Sequence, residues 1–423
     1  MKIMVVGGGG REHAIIKKIK ESALVEKIYA LPGNGGIAED AECVNIGAKE
    51  IDKIVAFALD KKVDYAIVAP DDPLVLGAVD ALVNAGVPCF GPNANAAIIE
   101  GSKIFSKNLM KKYGIPTAKY EVFTSKEDAL KYLNDAPIPT VIKADGLALG
   151  KGVVIATTRD EAFDAVKSMM EDKIFGESGS KIVIEEFLSG PEVSVLSFTD
   201  GKTIIPMVSS MDHKRALDND EGLNTGGMGT IAPNPYYTSD IAERCMKEIF
   251  LPTINAMNNE GRCFKGCLYF GLMLTNEGPK VIEYNCRFGD PETQVVLPLL
   301  KTDLLEIMMA CTNGTLEDIK VEFANKSACC VVMASNGYPS KYNSGYKITR
   351  DNDIDGEIYF AGAKLIDNKL LSAGGRVLGV VSIGDSLDEA IKNAYKNVSK
   401  VHFENAFYRT DIGKRAKLVF NQK

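Results

Sequence analysis

The sequence predicts a multidomain protein of mixed α/β and α+β class. An N-terminal doubly wound parallel sheet is followed by a central domain carrying a small flap subdomain, and then by a C-terminal α+β domain. A chain of 423 residues is too long for one core and divides into roughly two to four compact units. Up to about residue 92, apolar runs alternate with helical patterns, as successive βαβ units do. The stretches 117–190 and 324–423 instead combine strand runs and helices in α+β order. The expected domains are 1–102, 103–323 with the flap at about 117–190, and 324–423.

Residues 2–6 (KIMVV) read as a buried strand, followed by Gly7–Gly10 and a helix from Arg11 to about Lys20. Strand, glycine turn and helix start together make an anion site, because free N–H groups and the helix dipole face the loop. A GxGxxG dinucleotide loop is excluded, since Glu12 or His13 stands where the third glycine belongs. The next strand, about 27–31, runs into LPGNGG without an acidic residue for a ribose hydroxyl. Further units follow at 63–70 (strand), 76–84 (helix) and 87–92 (strand). A helix over 101–113 stops at Gly114, with Pro116 beyond it. Lys103 stands near its start, where a cation gains nothing from the dipole.

The flap has a helix at 126–134, strands at 139–145 and 153–156, a helix at 160–171 and a strand at 181–188. Between its first two strands lies GLALGKG (146–152). Walker A spacing fails here, because three residues rather than four separate Gly146 from Gly150, and Gly152 follows Lys151. A flexible hairpin whose N–H groups and Lys151 close over phosphates fits better. Glu185, Glu186 and Glu192 crowd IEEFLSGPE, as a hinge holding an adenine edge and ribose hydroxyls would require. The stretch 212–229, DHKRALDNDEGLNTGGMG, has no helical or strand periodicity and reads as a long functional loop. Its candidate ligands are Asp212, Lys214 and Arg215.

Strands at 267–275 and 280–285 pair through Asn276-Glu277-Gly278. The second puts Glu283 and Asn285 on one face, two hard oxygen donors that suit Mg²⁺ shared with phosphates. Arg287 follows on that face as a bidentate anion holder. Beyond it, FGDPE turns the chain and keeps two more carboxylates close. The final unit has three strands, a helix over 387–401 and the ending YRTDIGKRA.

Net charge is −7, so the protein has no general attraction for nucleic acid or anionic membranes. No apolar run reaches membrane length, and the N-terminal run is too short for a signal peptide. Nine cysteines without a paired framework indicate a reducing compartment, and no Cys/His set completes a zinc site. The expected location is the cytoplasm.

GGGGREHA, LPGNGG, EGSKIFSKNLM, VIKADGLALGKGV, VIEEFLSGPEVS, DHKR with NTGGMG, GLMLT, VIEYNCRFGDPETQ and YRTDIG cover nearly the whole chain. Through them the sequence resembles the ATP-grasp superfamily and, within it, the phosphoribosylamine–glycine ligases (glycinamide ribonucleotide synthetases) of purine biosynthesis. The resemblance implies that ATP, 5-phosphoribosylamine and glycine give glycinamide ribonucleotide, ADP and phosphate through glycyl phosphate. It implies that Lys103 and Lys143 meet the α/β-phosphates under a flap of Gly146, Gly150, Lys151 and Gly152. Glu185, Glu186, Leu188 and Glu192 would hold adenosine, and Glu283 and Asn285 would hold Mg²⁺ or Mn²⁺. Arg287 would steady the transferring group, while Asp212 with Lys214 or Arg215 would orient glycine. Gly9, Gly10, Asn34 and Asp290 are assigned to phosphoribosylamine, since the nucleotide has its own lysines and flap elsewhere. Superfamily members often add a carboxylate from the preceding strand; LYFGLMLT offers none, which counts against a second metal ion. No nucleic-acid or membrane partner is expected, and the assembly is a monomer or weak homodimer.

Three alternatives are weaker. A relative activating formate or bicarbonate would share the nucleotide site but not the DHKR/NTGGMG loop. A nicotinamide-dependent oxidoreductase lacks its third glycine, and an inactive nucleotide-binding regulator would be expected to have lost Glu283, Asn285 or Arg287.

Overall fold

The computed structural model describes residues 1–147, 152–172 and 176–416. Its N-terminal sheet has five parallel strands in the order Glu42–Cys43, Lys27–Pro32, Lys2–Gly7, Tyr65–Val68 and Cys89–Phe90. Lys2–Gly7 is central and covered on both faces, which explains why Ile3 to Val6 is an unbroken apolar run with no exposed residue. The strand order reverses beside this strand, so a crevice opens at its C-terminal end, where Gly7–Gly10 lies.

The helices Ala94–Gly101 and Lys103–Tyr113 lead into the central domain, with Ser102 capping the second through the Phe105 N–H. Gly114, at φ +67°, ends it as a left-handed stop. The flap is a four-stranded antiparallel sheet, ordered Tyr120–Phe123, Ile182–Glu186, Thr140–Ala144 and Val153–Ala156. Ile142, Ala144, Ile182 and Ile184 pack on the helices Lys126–Leu133 and Arg159–Met170. Alternation therefore sends Lys143 and Glu185 to the other face. A second antiparallel sheet orders Ile204–Pro206, Glu192–Thr199, Gly266–Thr275 and Gly278–Asn285. Its strand Glu192–Thr199 and the helices Leu251–Asn259 and Leu304–Asn313 have no counterpart in the sequence-based expectation.

The C-terminal sheet is not built from the C-terminal segment alone. Beside Ser327–Ser335, Arg376–Gly384 and Glu357–Phe360 it takes in Gly229–Ala232 and Met211–Asp212 from the middle of the chain. Between these two, the stretch expected to lack regular structure forms a hairpin of Arg215–Leu217 with Glu221–Asn224. Asn219 and Asp220 turn it at φ +59° and +58°, conformations that Asn and Asp tolerate better than other side chains. Two- to four-residue strands are too short to carry a period, which is why none was read there. The last helix ends at Val398 rather than 401, and Val401–His402 is a strand.

The hairpin is clasped by the end of the described chain. Arg409, 1% exposed, donates to the Arg215 carbonyl (3.0 Å) and pairs with Asp220 (3.0 Å) and Asp411 (2.8 Å). The Gly413 N–H donates to His213 Nε2 (3.0 Å), leaving Nδ1–H for the Gly229 carbonyl (3.2 Å). Burial lowers the His213 pKa to about 4, in keeping with this neutral tautomer. All nine cysteines are free, seven of them buried. Among the described residues, no helix is long and apolar enough to cross a membrane.

Candidate active site

Glu283 is the hub of the site. Its strand pairs antiparallel with Gly266–Thr275 so that Gly271 stands opposite Glu283 and Tyr269 opposite Asn285. A Cβ at Gly271 would come within 3.0 Å of Glu283 Cγ, so the missing side chain makes room for the carboxylate. Burial raises its pKa, but Lys214, Lys143, Lys103 and Arg287 outweigh that and hold the carboxyl below its usual range. Lys214 Nζ lies 3.3 Å from Glu192 Oε2 and 3.9 Å from Glu283 Oε1. Glu192, then Glu283, raises the Lys214 pKa well above its ordinary value, although burial opposes them. Six residues singled out in the sequence, Lys103, Lys143, Glu192, Lys214, Glu283 and Arg287, thus share one electrostatic cluster.

The phosphate side is built from the two lysines and the flap. Lys103 donates to the Gly146 carbonyl (2.8 Å), while Ser102 Oγ and the Ile104 N–H donate to Asp145 (3.0 and 3.1 Å). Burial lowers the Lys103 pKa. Gly146 takes φ +97°, and the Ala144 N–H meets the Gly152 carbonyl at 2.9 Å, closing the hairpin base. Gly150 and Lys151 lie outside the described residues. Lys143 Nζ is 3.1 Å from Glu185 Oε2, which Lys107 Nζ also approaches at 2.9 Å. The other oxygen, Glu185 Oε1, is buried with no partner among the described residues, so one acceptor is left over. Glu186 is committed elsewhere, accepting from the Lys119 N–H (2.9 Å) with Lys280 at 3.7 Å. Leu188 follows the strand in an irregular segment. Lys107 escaped the sequence reading, although it lies one helical turn beyond Lys103 on the same face.

The strand end carries the metal candidates. Asn285, with its amide oriented to satisfy its neighbours, donates to Glu100 Oε1 (3.1 Å) and the Tyr284 carbonyl (3.0 Å). Arg287 Nη2 lies 3.0 Å from Glu100 Oε1 and Nη1 donates to the Phe288 carbonyl (3.3 Å). Its Nε is buried without a partner among the described residues. An ionised carboxylate, an amide whose nitrogen is already committed, and the space at Gly271 together fit a hard divalent cation. Among the described residues, no three His, Cys, Asp or Glu side chains could hold an ion by themselves. Further ligands would have to come from phosphate and water.

Asp212 lies beside Glu292, and burial followed by the Glu292 charge pushes its carboxyl well above the usual range. Asp212 Oδ1 has no partner among the described residues. Glu292, 4% exposed, accepts from Ser194 Oγ (3.3 Å), which also bonds the Tyr269 hydroxyl (2.8 Å). An acid pair that leaves Asp212 Oδ1 without a donor can take an ammonium group. Arg215 does not join them: its guanidinium donates to the Gly222 carbonyl (2.8 Å) inside the hairpin. A one-residue register shift between Arg215 and Leu217 accompanies that direction, and no spacing rule would have revealed it. Arg376 was not anticipated either; it donates to the Gly226 and Asp290 carbonyls (2.8 and 3.0 Å) and tethers both loops.

The N-terminal loop departs from the bare anion site expected. Its Gly9 N–H already donates to Glu12 Oε2 (2.6 Å) and the Arg11 N–H to Asp290 Oδ2 (3.4 Å). Two carboxylates therefore face Gly9, Glu12 paired with Arg11 (2.7 Å) and Asp290 with Arg376 (3.3 Å), an arrangement that can accept from hydroxyl groups. Gly10 is needed for close packing, since a Cβ would stand 2.7 Å from Gln294 Nε2. Asn34 is no free ligand: its amide donates to the Gly8 and Phe360 carbonyls (3.0 and 2.8 Å), and its oxygen accepts from Gly36 and Ile37.

The sequence matches the phosphoribosylglycinamide synthetase N domain over residues 1–100, its ATP-grasp (A) domain over 101–293 and its C domain over 328–415. It is 49% identical over 413 residues to a phosphoribosylamine–glycine ligase of Caldanaerobacter subterraneus subsp. tengcongensis, covering 97% of this chain and 99% of that one. A ligase of the same name from Fusobacterium nucleatum is 50% identical over 418 residues, 98% of each chain. The crystal structure of the Thermotoga maritima phosphoribosylamine–glycine ligase superposes with a TM-score of 0.87 at 33% identity, covering 97% of this chain and 100% of that one. A Campylobacter jejuni biotin carboxylase shares the fold alone, with a TM-score of 0.74 at 14% identity over 96% of this chain and 92% of that one. With all three domains matched in order, and a carboxylate hub ringed by cations where they meet, the chain belongs to the phosphoribosylglycinamide synthetase family.

Proposed function

We infer that the chain joins glycine to 5-phosphoribosylamine in de novo purine biosynthesis, converting ATP to ADP and phosphate. The observation that carries this is the ring of Lys103, Lys143, Lys214 and Arg287 around Glu283, with the Asp212–Glu292 acid pair nearby. Two anions, a carboxylate and a triphosphate, can be brought together only where cations neutralise both. Lys103 and Lys143 take the α/β-phosphates. Glu185, the backbone around Leu188, and Glu192 hold adenosine. Glu283 and Asn285 would hold Mg²⁺ or Mn²⁺, which supplies charge neutralisation on the phosphates.

Asp212, with Glu292, holds the glycine ammonium, and Lys214 or Arg287 draws the carboxylate toward the γ-phosphoryl group. A carboxylate oxygen then forms the new P–O bond as the bond to ADP breaks, giving glycyl phosphate. The amine of phosphoribosylamine attacks its carbonyl carbon, a proton leaves the nitrogen, and phosphate departs. Covering the site keeps water from the acyl phosphate. Glu12 and Asp290 accept from the ribose hydroxyls. The protein works in the cytoplasm as a monomer or weak homodimer. Incubation with ATP, Mg²⁺, glycine and ribosylamine phosphate, omitting each in turn, should give glycinamide ribonucleotide by mass only in the complete mixture. Product formation without glycine, or none in the complete mixture, would overturn the assignment.

A further inference from the structure

Glu100 takes no part in the reaction as described, yet it touches three consecutive residues, the last of the site strand and the two that follow it. It closes the helix Ala94–Gly101 and is 9% exposed. Its Oε2 accepts from the Cys286 N–H at 2.7 Å, while its Oε1 faces Arg287 Nη2 at 3.0 Å and the Asn285 amide nitrogen at 3.1 Å. Burying a carboxylate is costly, and an apolar side chain would fill the same space without that penalty. What the charge adds is direction. An Asn amide can present either end to a neighbour, and only its oxygen can ligate a cation. With the nitrogen held by Glu100, the oxygen is the end turned away from it. The same carboxylate pins the Arg287 guanidinium by Nη2, which leaves Nε–H as the donor without a partner among the described residues.

We propose that Glu100 is a positioning residue that fixes which end of Asn285 faces the divalent cation and which edge of Arg287 faces the transferring group. This rests on the assignment of Glu283 and Asn285 as metal ligands. Gln at position 100 would keep the size and could still accept from Cys286, but its NH₂ group would then oppose two donors. Asn285 would relieve that clash by turning its oxygen toward position 100 and its nitrogen toward the metal. Partners of this kind alter metal affinity by roughly 10- to 100-fold.

The test is calorimetric binding of a non-hydrolysable ATP analogue to the full chain over a range of free Mg²⁺, alongside thermal unfolding without metal. Glu100→Gln should raise the Mg²⁺ concentration at half-effect by about tenfold or more. Adding Asn285→Asp to it should restore the Mg²⁺ dependence, because a carboxylate accepts from Gln and ligates with either oxygen. Asn285→Asp alone should weaken Mg²⁺ binding despite its added charge, since it faces Glu100; this arm stands even if Glu100→Gln does not fold. An unmoved Mg²⁺ midpoint in Glu100→Gln overturns the proposal, as does tighter Mg²⁺ binding by Asn285→Asp alone. So does a fall in metal-free affinity without a midpoint shift, which would make Glu100 a mere prop. Analogue binding by the unaltered protein that ignores Mg²⁺ would instead overturn the metal assignment itself.

Discussion

Replacing Glu185 with Gln removes the negative charge between two buried lysines while keeping the shape of the side chain. Lys107 Nζ and Lys143 Nζ stand 2.9 and 3.1 Å from Glu185 Oε2, and none of the three side chains is more than 5% exposed. Even with that carboxylate present, burial brings Lys107 down to about 8 from its ordinary 10.5. Holding it charged therefore costs about 3 kcal/mol relative to the unfolded chain. Without the carboxylate its pKa falls further, and the cost is capped at about 5 kcal/mol, that of a neutral Lys107 at pH 7. The difference, about 1 to 2 kcal/mol, is the most that Lys107 can add, because deprotonation caps it. Lys143 keeps the Ile282 carbonyl at 3.1 Å but loses its counter-charge, adding about 1 to 2 kcal/mol. The flap should lose about 2 to 4 kcal/mol at pH 7. A lysine whose folded pKa is depressed binds fewer protons folded than unfolded, so stability rises with pH between the two values. For the unaltered protein this rise begins near pH 8, and for Glu185→Gln it begins at lower pH. Hydrogen exchange of the flap strands in urea between pH 7 and 9.5 would measure both. A loss under about 1 kcal/mol, or parallel pH profiles, would refute the reasoning.

Glu283→Gln should lower turnover by on the order of 10²-fold at saturating Mg²⁺ without unfolding the chain; near-normal turnover would remove Glu283 from the metal site. Gly9→Val puts a branched side chain against Glu12 Oε2, 2.8 Å from the Cβ, and Asp290 Oδ2, 3.6 Å away. It should raise the phosphoribosylamine KM by roughly tenfold with ATP-analogue binding unchanged, and loss of analogue binding would make the loop a nucleotide site. His213 titrates at about 4 when folded against an ordinary 6.5, so its share of stability is complete above 6.5 and fades as pH falls toward 4. Denaturant unfolding across that window should show a shallower slope in His213→Asn, and an unchanged slope would rule out the buried neutral imidazole.

The parts of this site that could be read from sequence are those written in local patterns. Period-two alternation put Glu283 and Asn285 on one face. The helix start after Gly9 was also readable, but as an anion site; Glu12, three residues into that helix, already occupies the Gly9 N–H. Asn34 was misjudged for a related reason, since its four bonds reach the Phe360 carbonyl more than three hundred residues away. Glu100 and Arg376 act across domains and leave no local signature. Arg215 could not be placed without the register of the hairpin that turns it outward.

The clasp of Arg409, Asp411 and Gly413 on the 213–229 stretch bridges 189 to 200 residues of sequence. During synthesis at about 5 to 20 residues per second, the hairpin therefore leaves the ribosome roughly 10 to 40 s before its anchors. The strand Ser327–Ser335, which pairs with Gly229–Ala232, also arrives late. A nascent chain can thus complete the lysines, flap and metal strand while Asp212 and Lys214 are still without their supports.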